Sequence, residues 1–218
     1  FHVDAAYGGS AAILPEVRPL LDGVELADSM VTNPHKWLMT NFDCSCYFVR
    51  DVPALLETFS TAPAYLRTRH DADVVNYRDW GIPLGRRFRA LKLWFVLRAF
   101  GRDGLVERLR HHCVMATELA AEVAAEPGWE VMAPVPMSVV CFRHRPAGVD
   151  DEAGLQRHNA AILDRVNASG TVFLSHTKLG ERYVLRMAVG NLRTQRSHVA
   201  EAWRLLRSLP LIRRMQAQ

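Results

Sequence analysis

Residues 27–45 read ADSMVTNPHKWLMTNFDCS, and this stretch decides the fold. ADSMVT is a short apolar run bounded by turn signals, which predicts a strand. Lys36 follows directly, between His35 and Trp37. Working outward, FHVDAA at residues 1–6 predicts a second strand, followed by the loop Tyr7-Gly8-Gly9-Ser10, and CSCYFVR at residues 44–50 predicts a third. A short helix is expected around Pro15–Leu21. Short apolar strands with intervening helices predict an α/β sheet, parallel and buried on both faces. Asp4 and Lys36 then fall at the carboxyl ends of consecutive strands, where open α/β sheets bind ligands.

Taken singly, neither residue says much. Lys36 alone is a surface lysine at a strand end. Beside an imidazole and an indole it can be partly desolvated, which favours a nucleophilic amine. Asp4 alone caps the next turn, but a carboxylate ending an apolar strand is costly to bury without a partner. A protonated pyridine nitrogen is such a partner, and the pair Asp4 and Lys36 could hold both ends of one such ring.

Residues 58–81 lack a sustained period and carry Pro63, Gly81, several charges and three exposed-looking aromatics. So long a loop in a compact enzyme predicts a lid or a binding loop. RRFRALKLWFVLRAF then has helical spacing, Gly101 stops or kinks it, and Asp103-Gly104 opens a second long helix to about Ala125. WEVMAP and SVVCFRH predict strands, DEAGLQRHNAAILDRVNASG an amphipathic helix closed by Gly170, TVFLSH and YVLRMAVG two more strands, and QRSHVAEAWRLLRSL a last helix. That order is α+β. A domain boundary is expected near residues 96–101, dividing the chain into 1–97 and 98–218.

Composition narrows the class. Of 218 residues, 49% are hydrophobic and 23% charged, as in globular proteins generally. The net charge is +4, but the arginines are spread along the chain, which speaks for solvated faces and ion pairs and against a nucleic-acid partner. No apolar run reaches membrane-spanning length, so no membrane partner is expected. Cys44, Cys46, Cys113 and Cys141 are expected as free thiols in a reducing compartment. Cys44 and Cys46 should share one strand face, and two ligands without a second pair make no metal site. His111 and His112 are expected at the surface, and Trp80, Trp94 and Phe95 in a core or interface. Phe1–Ala6 reads as a strand already in progress, so a fragment or a truncated gene product is expected.

HVDAAYGGSA (2–11), ADSMVTNPHKWLMTNFDCS (27–45) and YRDWGIPLGRRFRALKLWFVLRAFG (77–101) together resemble the group II decarboxylases that use pyridoxal phosphate (PLP), specifically the aromatic-L-amino-acid decarboxylases. The resemblance runs in register from residue 1 to about 110. It continues more weakly to about 205, through YVLRMAVGNLRTQRSHVAEAW.

The resemblance implies the aspartate-aminotransferase fold (fold type I): residues 1–97 as part of the PLP-binding large domain, residues 98–218 as the α+β small domain. It implies Lys36 as the Schiff-base lysine, Asp4 as the partner of the pyridine nitrogen, and Ala6 beneath the ring. Asn33 falls near the phosphate and His35 beside the site. Tyr65 matches the mobile-loop tyrosine that returns a proton to the substrate. Phenylalanine at that position goes with aldehyde synthesis in relatives, so tyrosine favours decarboxylation. Leu84 and Gly85 match pocket-lining positions, and Gly85 leaves room that slightly favours indolic or catechol substrates. Arg186 is expected to be structural. A cytoplasmic homodimer acting on an L-amino acid is implied. Family members are longer, and the part absent here would supply a phosphate loop and a ring-stacking histidine, so the 218 residues alone are expected to be weak or inactive. Aldehyde synthesis, a non-aromatic substrate and a non-catalytic half-enzyme acting as an interaction module remain open.

Overall fold

Strand β1 (His2–Asp4) pairs in parallel with β2 (Ser29–Thr32), Asp4 opposite Val31. The computed structural model in which this is seen describes residues 1–60, 63–71 and 73–216, with side chains as far as residue 209. Between the two strands run 3-10 turns at Gly8–Ile13, Arg18–Leu21 and Val24–Leu26. The helix expected at Pro15–Leu21 is thus a single 3-10 turn. Gly9 is needed where it stands: a Cβ there would lie 2.6 Å from Thr32 Oγ1 and 3.2 Å from Ala5 Cβ.

After β2 comes a one-turn helix, α1 (Pro34–Trp37), and then β3 (Cys46–Val49), which pairs antiparallel with β2, Thr32 opposite Cys46. The sheet, in order β1-β2-β3, is therefore mixed and not wholly parallel. The cause lies in the connection. It folds back on itself, Thr40 N–H donating to Pro34 O and His35 N–H to Cys44 O, so β3 starts at the end of the sheet where β2 stopped. A parallel return would need a crossover to the opposite end. Burial on both faces is not seen either: Tyr47 and Phe48 are exposed in the chain as described.

Helix α2 (Val52–Phe59) was not read from the sequence, although its signals are present. Asp51 caps it, accepting from Ala54 N–H at 2.9 Å, and Pro53 occupies its first turn. The expected loop 58–81 contains two 3-10 turns, Ala64–Leu66 and Tyr77–Trp80, and its residues 61, 62 and 72 lie outside the described residues. Helix α3 (Arg89–Ala125) is broken at Gly101, whose φ of 64° lies in the left-handed region open to glycine. Trp94 and Phe95 on α3 are exposed in the chain as described, packing edge-to-face on each other.

The chain divides into two compact units, Phe1–Leu105 and Val106–Gln218. In the second, β4 (Trp129–Val131), β5 (Val139–His144), β6 (Ser175–Leu179) and β7 (Arg182–Ala188) form an antiparallel sheet in the order β4-β5-β7-β6. Helices α4 (Glu152–Ala168) and α5 (Arg196–Gln216) complete it. Phe142, Val166, Leu185 and Leu206 are fully buried in its core with Trp203 and Trp129. Gly170 follows the end of α4, as the sequence indicated, and Asp151 caps its start.

The strand expected from TVFLSH starts only at Ser175. Asn167 brackets Leu174, donating to its carbonyl and accepting from its N–H, so these backbone groups are satisfied without a strand partner. His112, expected at the surface, is buried at 3% exposure; burial, reinforced by the charge of His111, pushes its imidazole below the usual range. Arg186 lies on β7 beside Ser175 Oγ. Arg143 is buried between Glu130 and Glu152, its charge satisfied on both sides.

Candidate functional site

The pairing of β1 with β2 brings Asp4, Ala6 and Asn33 together. Beyond the strands proper the ladder continues, Asn33 N–H donating to Ala6 O at 3.0 Å. Asp4 stays exposed, and its Oδ1 accepts from Ala6 N–H at 3.0 Å. The turn-capping interaction foreseen for Asp4 on its own is thus present, and it holds the carboxylate at the strand end.

Asn33 is the N-cap residue of α1, and its carbonyl accepts from Lys36 N–H at 2.8 Å. The turn buries Pro34 and Trp37, three residues apart on one face, and leaves Lys36 exposed. The expected desolvation of Lys36 is therefore not seen: its two neighbours turn their rings elsewhere. Trp37 is wholly buried and stacks on Tyr7, ring centroids 4.8 Å apart and planes 5° from parallel. His35 faces Cys44, whose N–H donates to Nδ1 at 3.0 Å, and its ring meets Phe42 edge-on. Among the described residues the buried Oδ1 of Asn33 has no hydrogen-bond partner.

The loop after α1 is fastened from outside. Arg89, at the start of α3, donates to Asp43 Oδ2 from Nε at 3.1 Å and lies 3.0 Å from it through Nη2. This contact holds the Asp43 carboxyl below its ordinary range. Cys44 is buried and precedes β3, and its thiol lies beside that of Cys46. Burial, with the adjacent Cys44 thiol, pushes the Cys46 thiol up. All four cysteines are free, and no metal-binding cluster occurs among the described residues.

Tyr65 lies in the Ala64–Leu66 turn with 78% of its surface exposed, and Leu84 and Gly85 are exposed too. Among the described residues no hydrogen bond joins these three to the group around Asp4 and Lys36. No sequence signal points to the Arg89–Asp43 contact, which spans 46 positions. The Tyr7–Trp37 stack could have been suspected from two aromatics flanking the strand ends.

The family model described as pyridoxal-dependent decarboxylase conserved domain matches residues 1–145. A phenylacetaldehyde synthase from Arabidopsis thaliana is 47% identical over 94% of this chain and 42% of its own length. Tyrosine decarboxylase 4 from Petroselinum crispum is 48% identical over 94% of this chain and 41% of its own length. Among solved structures, an Oryza sativa TDC with PLP and tryptamine superposes with a TM-score of 0.89 at 41% identity, covering 95% of this chain and 43% of that one. Chain and fold thus fall in the fold type I PLP enzymes, and the chain belongs to the pyridoxal-dependent decarboxylase family. It spans about 42% of the length of the curated relatives it matches. No helix among the described residues is long and apolar enough to cross a membrane.

Proposed function

We propose that the protein to which this chain belongs decarboxylates an aromatic L-amino acid, giving the amine and carbon dioxide with PLP as cofactor. One observation carries the reading: Asp4 ends one strand and the turn bearing Lys36 follows the adjacent parallel strand, the two backbones being joined through Ala6 and Asn33.

These residues fit the cofactor. Lys36 offers an exposed amine for its aldehyde carbon, and Asp4 a carboxylate for its ring nitrogen. Ala6 is small enough to leave room for the ring, and the unpartnered Asn33 amide oxygen marks a polar group still to be satisfied. When bound, the cofactor supplies an electron sink for the pair left behind as carbon dioxide departs. Asp4, oriented by Ala6 N–H, would hold a proton on the ring nitrogen. His35, engaged by Cys44, would keep a fixed orientation beside the site. Tyr65 would deliver a proton to the substrate α-carbon from a loop that closes over it. Leu84 and Gly85 would line the substrate pocket, and, its chain neighbours aside, no atom of the described residues lies within 4 Å of a Cβ built on Gly85.

On this reading residues 1–97 belong to the cofactor-binding large domain and residues 98–218 to the small domain. The enzyme is a cytoplasmic homodimer, and the 218 residues by themselves are weak or inactive. Aldehyde synthesis is the second reading, favoured by the similarity to a phenylacetaldehyde synthase. Tyr65 speaks for decarboxylation, and Tyr65→Phe in the full-length enzyme should shift the product from amine to aldehyde.

The test is to add PLP, reduce with borohydride and map the adduct by mass spectrometry. The chain has two other lysines, Lys92 and Lys178, which serve as internal controls. A pyridoxyl group on Lys36 well above both, lost in Asp4→Ala, supports the reading; even labelling of all three in the full-length protein overturns it. A substrate panel in which glutamate or diaminobutyrate outruns tryptophan, dopa and tyrosine would overturn the aromatic assignment.

A further inference from the structure

We infer that Arg89 is a positioning residue for Lys36, acting through Asp43 and Cys44; the inference rests on the reading of Lys36 as the cofactor-binding amine. Helix α1 has four residues, and a single turn does not hold itself in place. Its orientation must come from what it touches. Trp37 anchors one side through Tyr7. The other side is anchored through His35, which is gripped twice by one residue: His35 N–H donates to Cys44 O at 3.2 Å, and Cys44 N–H donates to His35 Nδ1 at 3.0 Å.

Cys44 is in turn held by Arg89. The Cys44 thiol makes a long contact of 3.9 Å to Arg89 O, and the guanidinium reaches the preceding residue, Asp43, through two nitrogens. Arg89 therefore fastens two consecutive loop residues, backbone and side chain, and the second of them clasps the imidazole next to Lys36. Among the described residues no hydrogen bond or ion pair joins Arg89 to Lys36, so its influence passes through the loop. Both side chains of the ion pair are about a third exposed, at 37% and 36%. A pair of that kind contributes little to global stability. Its effect belongs to the local order of the turn.

The experiment compares the full-length protein with its Arg89→Ala, Arg89→Lys and Asp43→Asn variants in two assays. Amide hydrogen exchange reads the His35 and Cys44 N–H groups without any cofactor. Borohydride trapping with PLP reads the ratio of adduct at Lys36 to adduct at Lys178. In Arg89→Ala, exchange at His35 and Cys44 should quicken and the adduct ratio should fall, each by about fivefold, the upper end for a part-exposed ion pair. Unfolding midpoint and exchange in the Val106–Gln218 unit should stay as in the wild type. Asp43→Asn should match Arg89→Ala, Arg89→Lys should fall between, and free guanidinium below denaturing concentration should restore Arg89→Ala in both assays.

Unchanged exchange in Arg89→Ala overturns the inference. So does faster exchange with an unaltered adduct ratio, which would make the contact structural only. Even labelling of Lys36, Lys92 and Lys178 in the full-length wild type would instead count against the cofactor reading, and the role assigned to Arg89 would fall with it, whatever the exchange data say about the loop.

Discussion

Replacing Trp37 by alanine tests whether the lysine-bearing turn is held by the aromatic stack beneath it. Trp37 is completely buried and lies flat on Tyr7. Truncating a buried tryptophan to alanine costs about 3–5 kcal/mol, because the lost transfer energy adds to that of the cavity left behind. The parallel ring pair accounts for about 1 kcal/mol of that. A phenylalanine keeps a ring against Tyr7, so Trp37→Phe should cost only about 1–2 kcal/mol. Urea denaturation followed by far-UV circular dichroism gives both values by linear extrapolation. Amide exchange at residues 34–44 should rise in the same order, alanine above phenylalanine above wild type. If Trp37→Ala costs less than about 1 kcal/mol, the reasoning fails: the site would be collapsing around the smaller side chain, and the stack would not be what holds the turn.

Three further perturbations follow from the same structure. Gly9→Ala drives a methyl to 2.6 Å from Thr32 Oγ1 and should destabilise by about 1–3 kcal/mol; Thr32→Ala should relieve part of this, a non-additivity visible in a double-mutant cycle of melting curves. Asn159 is fully buried and holds His144 N–H, His144 O and Leu155 O at 2.8–2.9 Å. Asn159→Ala leaves those groups unpaired and should cost about 2–4 kcal/mol by chemical denaturation, whereas a near-neutral result would mean that water replaces the amide. His112 has an imidazole lowered by burial, so the folded chain keeps it neutral while the unfolded chain protonates it more readily. Its contribution is complete above about pH 6.5 and is lost as the pH falls towards the lowered value; His112→Gln should flatten that part of the stability profile.

What could be read from the sequence was local. Gly101 and Gly170 announced a kink and a stop because each acts on backbone within a few residues. Asp4 and Lys36 could be put on neighbouring strands because a strand end and a turn are short-range events. The direction of β3 was not legible, since it depends on a loop doubling back through His35 and Cys44. Asn167 closing off the backbone of Leu174, and Arg89 reaching Asp43, are side-chain contacts between distant positions that no periodicity encodes. Helix α2 was missed although Asp51 and Pro53 signalled it, because eight residues before a polar loop blended into that loop.

The clasp between His35 and Cys44 also works as a ruler. It fixes how many residues separate the lysine turn from β3, and β3 must enter the sheet with Cys46 opposite Thr32. Side chains alternate along a strand, so losing or gaining one residue between positions 38 and 43 would either break the clasp or reverse the faces of Tyr47 and Phe48. Substitutions in this loop that keep its length should be tolerated far better than any single-residue deletion, which would have to give up either the orientation of Lys36 or the register of the sheet edge.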